Sequence, residues 1–436
     1  MAIIQQIAFV LLASISIALF TKKIKELIRN ISLGQAVSLP GTTSERVSQL
    51  VLLAFGQKKM FANLPVAVMH FILYAGFIII NIEVVEIVLD GILGTHRLFA
   101  PSLGGLYTFL INTFEILAFL VLVACVAFLI RRNVMKISRF QKPELNGWPR
   151  SDANFILITE IVLMGLFITM NALDANLQKV DSHYTGTGTF YISGLMAPLF
   201  GGLGSGTIVV LERTCWWLHI VGIFAFLNYL PYSKHLHIFM AFPNSYYNPI
   251  QPAGVISNMP VIQNEVLYAM QPELIPADAS TPNKFGANDV TDLTWKNLLD
   301  AYSCTECGRC TDACPANQTG KALNPRKIMM DTRDRLEEVG NNINKNGSFV
   351  PDNKSLLHNY ITTEELKACT TCNACVQACP VSINPVNIIM ALRRYLILDE
   401  SNSPAEWNNM SNNIENNGAP WQFSPADRDK WATEVV

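Results

Sequence analysis

Eight of the ten cysteines in this 436-residue chain fall into two runs of identical spacing, each ending directly before a proline. The runs are Cys304, Cys307, Cys310, Cys314 and Cys369, Cys372, Cys375, Cys379. Thiolates are soft ligands that suit iron–sulfur clusters, and spacers of two residues let three sulfurs converge from one tight loop. Zinc sites or disulfides are the alternatives, but duplicated four-cysteine runs that end in proline are hard to explain by either. The runs predict two [4Fe-4S] clusters, which carry electrons one at a time.

Each run also matches the signature of bacterial ferredoxins, in which a cluster takes three thiolates from its own run and the fourth from the other. Cluster one is therefore assigned to Cys304, Cys307, Cys310 and Cys379, and cluster two to Cys369, Cys372, Cys375 and Cys314. Because such clusters need reduced thiols, we expect this part of the chain in the cytoplasm.

The N-terminal half has the composition of a membrane protein. Hydrophobic residues make up 50% of the chain and charged residues only 15%. Apolar stretches long enough to cross about 30 Å of hydrocarbon recur five times, at 3–20, 64–89, 106–130, 153–173 and 207–230. We therefore predict five transmembrane helices. The net charge of −2, without a long basic run, gives no support for nucleic-acid binding.

The basic residues between these stretches predict the orientation. Seven lysines and arginines lie between the first two stretches, and six lie between the third and the fourth. The other two connections are poor in basic residues, with Arg97 in one and Lys179 and Arg213 in or beside the other. The positive-inside rule then places the N-terminus outside and the C-terminus in the cytoplasm of a bacterial or archaeal cytoplasmic membrane. The first stretch lacks a basic segment before it, so we expect an uncleaved anchor rather than a signal peptide.

Three histidines lie at or near membrane depth, where such residues are rare and costly. His70 is near the inner end of the second stretch, and His237 just past the inner end of the fifth. On a continuous helix His219 and His237 would share one face about 27 Å apart, with His235 rotated about half a turn away. We therefore predict that His70 and His237 hold a b-type haem between them. Alternatively, His70 bonds a carbonyl and His237 is an interfacial surface residue.

A second haem is less clearly indicated. His219 lies in the outer half of the fifth stretch, but the second stretch has Ile80 and Asn81 where a partner is expected. His96 or His183 from the external loops could complete a second site, or His219 could serve a quinone. One haem and two haems both stay open.

Carboxylates at membrane depth suggest proton chemistry. Glu83 and Glu86 lie in the second stretch and Glu115 at a similar depth in the third. A quinol releases two protons when it is oxidised, and buried carboxylates suit their acceptance. The alternative is that these residues pair with Arg97 or Arg213.

Residues 230–239, LPYSKHLHIF, closely resemble the end of the fifth helix in the cytochrome b (gamma) subunit of respiratory nitrate reductase. There an (F/Y)-S-(K/R)-x-x-H motif follows a proline. The resemblance implies that His237 and His70 bind the haem nearer the cytoplasm and that His219 matches the upstream ligand of the fifth helix. The second ligand of helix two has no counterpart in this chain.

The cysteine-rich half resembles the iron–sulfur (C) subunit of heterodisulfide reductase. The whole chain then looks like a fusion of the cytochrome b (E) and iron–sulfur (C) subunits of that reductase. The tail at 413–431 is similar to a segment that precedes the cysteine-rich CCG domains of related fused proteins. Because the chain has no Cys-Cys pair, the resemblance implies that the catalytic CCG domain belongs to a separate partner.

Together these observations predict an all-α protein: a five-helix transmembrane cytochrome b bundle followed by a helical two-[4Fe-4S] ferredoxin-like domain. The predicted parts are a membrane domain at 1–240, an irregular linker at 241–289, a cluster domain at 290–400 and a docking tail at 401–436. Within the cluster domain we expect helices at 324–339, 364–368 and 385–398. The exposed tryptophans of the tail suggest an arm that orders on a partner.

The predicted function is that of a membrane-bound oxidoreductase subunit. It moves electrons between menaquinone or another quinone and a cytoplasmic CCG-domain partner, through haem b and the two clusters. The alternative is an adaptor between the quinone pool and a flavoprotein dehydrogenase. The direction of electron flow depends on reduction potentials, which the sequence does not give.

Overall fold

The computed structural model describes residues 2–252, 254–276 and 284–434, and this part of the chain is helical without any β-strand. The predicted all-α class is therefore confirmed. Its helices of eight or more residues are α1 (Ala2–Ile31), α2 (Thr43–Leu50), α3 (Leu64–Leu93), α4 (Gly105–Asn133), α5 (Trp148–Leu177), α6 (Ser205–Tyr229), α7 (His237–Tyr246), α8 (Pro260–Met270), α9 (Trp295–Ser303), α10 (Pro325–Asn346), α11 (Pro385–Leu398) and α12 (Ala405–Asn417).

Five helices, α1, α3, α4, α5 and α6, are long and apolar enough to cross a membrane, as predicted. Local signals set their ends. Asn63 caps the start of α3 by accepting a hydrogen bond from the Val66 amide, and the left-handed Gly94 ends this helix. The spanning helices pack closely where small residues face larger ones: a Cβ added to Gly222 of α6 would lie 2.7 Å from a methyl carbon of Leu163 on α5.

The chain breaks its helical course between α6 and α7. Short 3-10 turns cover Leu230–Tyr232 and Lys234–Leu236, and the backbone of Ser233 between them is extended. Pro231 has no amide hydrogen to continue the helical bonding. The prediction that His219 and His237 share one face of a continuous helix is therefore wrong, and His237 instead begins a new helix.

The predicted irregular linker at 241–289 is also partly helical, because α7 extends through Tyr246 and α8 covers Pro260–Met270. Residues 253 and 277–283 of this linker lie outside the described residues, as do residues 435–436 of the tail. In the cluster half, α11 has the predicted bounds and a short helix at Thr363–Lys367 lies where one was expected. The helix expected at 324–339 continues to Asn346.

The cluster half, residues 290–400, packs directly against the membrane half, residues 2–240. The C-terminal end of α1 packs on α9 and α10, where Leu27 is fully buried in the core of the cluster half. Asn30 donates a hydrogen bond of 2.9 Å to the Tyr302 hydroxyl, and Lys23 Nζ lies 3.0 Å from Glu337 Oε2. A few residues of the membrane half therefore pack into the core of the cluster half, so that more than the linker joins the two halves.

Candidate metal centres

The two cysteine runs adopt the same backbone conformation. Glu306 and Gly308 in the first run and Thr371 and Asn373 in the second all have positive φ, between 55° and 75°. These residues occupy equivalent positions, directly before and after the second cysteine of each run. Alternation of left-handed and right-handed residues makes a concave loop whose amide groups point inward, which suits an anionic cluster.

The structure brings the proposed ligands of cluster two together. One small cavity is lined by Cys314, Cys369, Cys372 and Cys375. Cys314 of the first run thus lies beside three cysteines of the second run, which is the grouping that the crossed assignment proposes. Cys372 is exposed, so this position is open to solvent at the surface of the cluster half.

Among the proposed ligands of cluster one, Cys304 is buried and the other three cysteines are half-buried. Burial is the main cause that raises the pKa of the Cys304 and Cys379 thiols to about 12, and the neighbouring Cys307 acts in the same direction on both. The Ile383 amide donates to Cys379 Sγ at 3.3 Å. A thiol with so high a pKa is neutral at physiological pH unless a metal displaces its proton. Binding of a cluster by these cysteines is therefore coupled to proton release.

The cysteines are not arranged around a single ion. Among the described residues, no three Cys, His, Asp or Glu side chains converge closely enough to bind one metal ion. A structural zinc site needs four ligands within about 2.3 Å of one ion. A [4Fe-4S] cluster instead spreads its four thiolates over separate irons.

Cluster one faces the membrane half. Lys59 Nζ, from the loop between α2 and α3, donates to Ser382 Oγ at 2.9 Å. Lys234, which follows α6, forms an ion pair of 2.7 Å with Glu306 in the first cysteine run. Gly308 approaches so closely that a Cβ there would lie 3.2 Å from Arg139 Cβ. Of the two candidate sites, the one at cluster one is thus the nearer to the spanning helices.

His70 and His237 lie together at this same end of the bundle. Their ring centroids are 6.4 Å apart. His70 Nδ1 donates to Gln57 Oε1 at 3.0 Å and His237 Nδ1 donates to the Lys234 carbonyl at 3.0 Å. Both Nε2 atoms are thereby left as free electron-pair donors, since a neutral imidazole carries only one N–H. Burial lowers the pKa of His237, which favours this neutral form.

At this separation of their ring centroids, His70 and His237 could both bind one metal ion. Metal–imidazole bonds of about 2 Å on each side place the ring centroids roughly 6 Å apart. Hydrogen bonds from the remote Nδ1 atoms to protein oxygens fix the rings and the tautomer, as is usual for metal-binding histidines. The ring centroid of His235 lies 5.7 Å from that of His237 and 5.5 Å from that of Phe226.

The other histidines have different surroundings. His219 is buried, and its Nδ1 donates to the Leu163 carbonyl at 3.1 Å. His96 stacks edge-on against Tyr184 and lies 3.5 Å from Asp174. His183 is exposed and bonds Asp181. Within the described residues, neither His96 nor His183 forms a hydrogen bond or a ring contact with His219.

A buried polar network occupies the opposite end of the bundle. Arg97 is its hub: Nε donates to Asp174 at 2.7 Å, and other nitrogens of its guanidinium donate to Asn171 and Tyr107. The Tyr107 hydroxyl in turn donates to Glu86 at 2.6 Å. Arg97 thus pairs with Asp174 of α5, which no sequence pattern singled out.

Of the remaining predicted carboxylates, Glu115 joins this network, whereas no hydrogen bond connects Glu83 to it within the described residues. Glu115 accepts hydrogen bonds from Asn171 and from the Ile192 and Ser193 amides. Glu83 is buried, and its Oε2 has no hydrogen-bond partner within the described part of the chain. Arg213, the other predicted cation, pairs with its neighbour Glu212. Only Glu83 is left with an unsatisfied carboxyl oxygen among the three predicted glutamates.

Sequence reasoning did not identify the residues that support these centres. Gln57 and Lys59 belong to a short loop with no motif of its own, and Lys234 was noted only as part of the cytochrome-like segment. The one available signal was their position, immediately before α3 and after α6, where the chain leaves the membrane near the proposed haem ligands.

Comparisons with known proteins support the presence of a dicluster domain. Residues 303–383 match the family of 4Fe-4S dicluster domains. Over 98% of its length the chain is 28% identical to the probable iron-sulfur-binding oxidoreductase FadF of Bacillus subtilis. Over 90% of its length it is 27% identical to the EtfAB:quinone oxidoreductase of Syntrophomonas wolfei. The chain spans 60% and 54% of the length of these two relatives. No solved structure matches the chain significantly.

The cluster half has further relatives. Over 23% of its length the chain is 33% identical to the iron–sulfur (C) subunit of the ferredoxin:CoB-CoM heterodisulfide reductase of Methanosarcina mazei, and the match covers 48% of that protein. The predicted resemblance to this reductase component is thus confirmed. The fold and the matches together define a multi-pass membrane protein with a domain for two [4Fe-4S] clusters. More particularly, over nearly its whole length the chain is similar to a probable iron–sulfur-binding oxidoreductase.

Proposed function

We propose that the chain transfers electrons between a membrane quinone and a cytoplasmic protein partner. In this proposal a b-type haem bound by His70 and His237 and the two clusters form one electron path. The cytoplasmic side is the one at which the cluster half docks, in accord with the basic loops. The N-terminus of α1 then lies outside.

The observation that carries the proposal is the pairing of His70 and His237, at a ring separation of 6.4 Å with both Nδ1 atoms bonded to protein oxygens. A haem ligated there would supply one-electron chemistry at a potential set by its axial ligands. The chain's own contribution is to hold the two rings in place and to exclude water from them. The neighbouring position of cluster one supports electron transfer between haem and cluster.

Cluster two would be the exchange point with the soluble partner. The exposed Cys372 places this cluster at the surface, whereas cluster one is covered by Lys59, Lys234 and Arg139 of the membrane half. This order supports a path from haem to cluster one, then to cluster two and the partner. The same path serves electrons that travel in the opposite direction.

Glu83, Glu86 and Glu115, at the end of the bundle opposite the cluster half, are the proposed proton-handling groups for the quinone. Glu83 is the strongest candidate, because a buried carboxyl oxygen without a donor is costly as an anion but tolerable when it holds a proton. Glu86 and Glu115 are already satisfied by several donors each, so they better suit a positioning role. His219 is the further candidate for contact with the quinone or with a second haem.

Two kinds of cytoplasmic partner are supported by different matches. A flavoprotein is favoured by the relative named EtfAB:quinone oxidoreductase, since that similarity extends over 90% of the chain. A CCG-domain reductase subunit is supported by the heterodisulfide reductase relatives, whose similarity is confined to the cluster half. We favour an electron-transferring flavoprotein, and the exposed Trp407, Trp421 and Trp431 of the tail are candidates for its docking.

The direct test is the haem content of the purified full-length chain, measured as the pyridine haemochrome. We expect about one b haem per chain, lost in both His70→Ala and His237→Ala. His183→Ala is the matched control, because His183 is exposed and remote from the pair, and it should retain the haem. A wild-type chain without haem, or full haem retention in both ligand variants, would refute the proposal. Two haems per chain would bring His219 into a second site.

A further inference from the structure

We propose that Lys59, a residue of the membrane half, raises the reduction potential of cluster one. The inference rests on the proposed ligand assignment, in which Cys379 completes this cluster. It assigns to the loop between α2 and α3 an electrostatic role in the cluster half, more than 240 residues further along the chain.

The geometry places the lysine on the loop that carries Cys379. Lys59 lies in the 3-10 turn Lys58–Ala62. Its Nζ donates to Ser382 Oγ at 2.9 Å and to the Val376 carbonyl at 3.4 Å. Val376 and Ser382 bracket Cys379, whose amide is bonded to the same Val376 carbonyl at 3.3 Å. Two contacts on either side of one ligand hold the ammonium group against that ligand's loop.

The charge of Lys59 is not consumed by a carboxylate. Burial lowers the pKa of Lys59, and the Cys379 sulfur raises it in the opposite direction. Three other cations at this interface are neutralised in ion pairs: Lys234 and Arg333 by Glu306, and Arg326 by Glu144. Arg309, beside Cys310, donates to the Lys59 carbonyl at 3.4 Å and forms no ion pair in the described part of the chain. Within the described residues Lys59 has no such partner, so its positive charge acts on the cluster loop.

An uncompensated cation beside a cluster has a definite effect. Each one-electron reduction makes a [4Fe-4S] cluster with its four thiolates more negative by one charge, and nearby charge is one of the factors that set its potential. At partial burial, solvent screens the interaction between such a charge and the added electron only in part. Lys59 therefore favours the reduced state of cluster one and makes it a better acceptor for an electron from the membrane side.

The experiment is a redox titration of the full-length chain, monitored by electron paramagnetic resonance. Cys372→Ser identifies the signal of cluster one, because it removes a ligand of cluster two only. We expect Lys59→Met to lower the potential of cluster one by an amount on the order of 59 mV, which is a tenfold change in the reduction equilibrium. Lys59→Arg keeps the charge and should stay within a small fraction of that shift.

Lys58→Met is the matched control, since Lys58 is the exposed neighbour, and it should leave both potentials unchanged. An unchanged cluster-one potential in Lys59→Met, or equal shifts in Lys58→Met, would overturn the proposal. If Lys59→Met loses iron, Ser382→Ala serves instead, because it frees the ammonium group without deleting its charge. A smaller downward shift of the cluster-one potential is then expected. An unchanged potential in Ser382→Ala would contradict the proposal. The haem assay and iron count are independent readouts, so failure of the proposed function is recognised separately.

Discussion

Gln57 and Lys59 lie only two positions apart, yet they contact two different candidate redox sites. The Gln57 side chain accepts a hydrogen bond of 3.0 Å from His70, and the Lys59 side chain donates one of 2.9 Å to Ser382 beside Cys379. Gln57 has a left-handed backbone, with φ of 48°, which directs the chain into the turn that presents Lys59. One short loop thus fixes the position of a proposed haem ligand relative to a proposed cluster ligand.

The first prediction concerns this support of His70. Gln57→Leu removes the acceptor for His70 Nδ1 while keeping a side chain of similar size. Loss of such an outer contact typically weakens metal binding by about 10- to 100-fold, so haem should be lost more readily on dilution or on titration with a competing haem-binding protein. Gln141→Leu, at an exposed position, is the control. Equal haem retention in Gln57→Leu and the wild type would contradict the support role.

The second prediction tests the crossed ligand assignment. Cys314→Ser should deplete the same cluster as Cys372→Ser, although Cys314 belongs to the first run. Cys379→Ser should deplete the same cluster as Cys304→Ser. Each variant should retain about four of about eight irons, and the surviving resonance signal should be shared within each pair. If Cys314→Ser instead matches Cys304→Ser, each cluster takes all four ligands from its own run.

The third prediction concerns the contact between the two halves. Arg326 of α10 is fully buried, and its guanidinium bonds Glu144 from the loop before α5 and the Arg139 carbonyl. Glu144→Ala leaves a buried cation without its anion, a change that typically costs about 3–5 kcal/mol. We expect faster proteolysis between α7 and α9 and a lower unfolding temperature of the cluster half.

A suitable control for this third prediction is Asp427→Ala, which removes the exposed ion pair with Lys430 and should change stability by less than about 1 kcal/mol. Unchanged stability in Glu144→Ala would show that the interface does not depend on this pair.

The fourth prediction concerns proton handling by Glu83, at the end of the bundle opposite the cluster half. Glu83→Gln removes the one unsatisfied carboxyl among the predicted glutamates and preserves its shape. Because general acid–base groups typically contribute about 10²- to 10⁴-fold, electron exchange with a soluble quinol analogue should slow markedly, while haem content and iron content stay at wild-type levels. Glu45→Gln, at an exposed capping position, is the control. Wild-type exchange rates in Glu83→Gln would exclude this glutamate as a proton carrier.

The sequence by itself determined the chemistry of the clusters and the class of the fold. Cysteine spacing is a local property, because three ligands must come from one loop, so the runs predicted the dicluster domain that the comparisons confirm. Hydrophobic length likewise predicted the five spanning helices, since the thickness of the membrane fixes how many apolar residues are needed. The sequence also predicted the bounds of α11, Pro385–Leu398, which has a proline at its first position.

Only the tertiary structure decided how distant segments meet. The periodicity argument for His237 assumed a continuous helix, and the break at Pro231 and Ser233 made it wrong, yet the ring lies beside His70 because a new helix starts at His237. The pairing of Arg97 with Asp174 spans 77 residues, and that of Lys59 with Ser382 spans 323. Such contacts depend on the packing of whole helices and domains, which no local pattern of residues encodes.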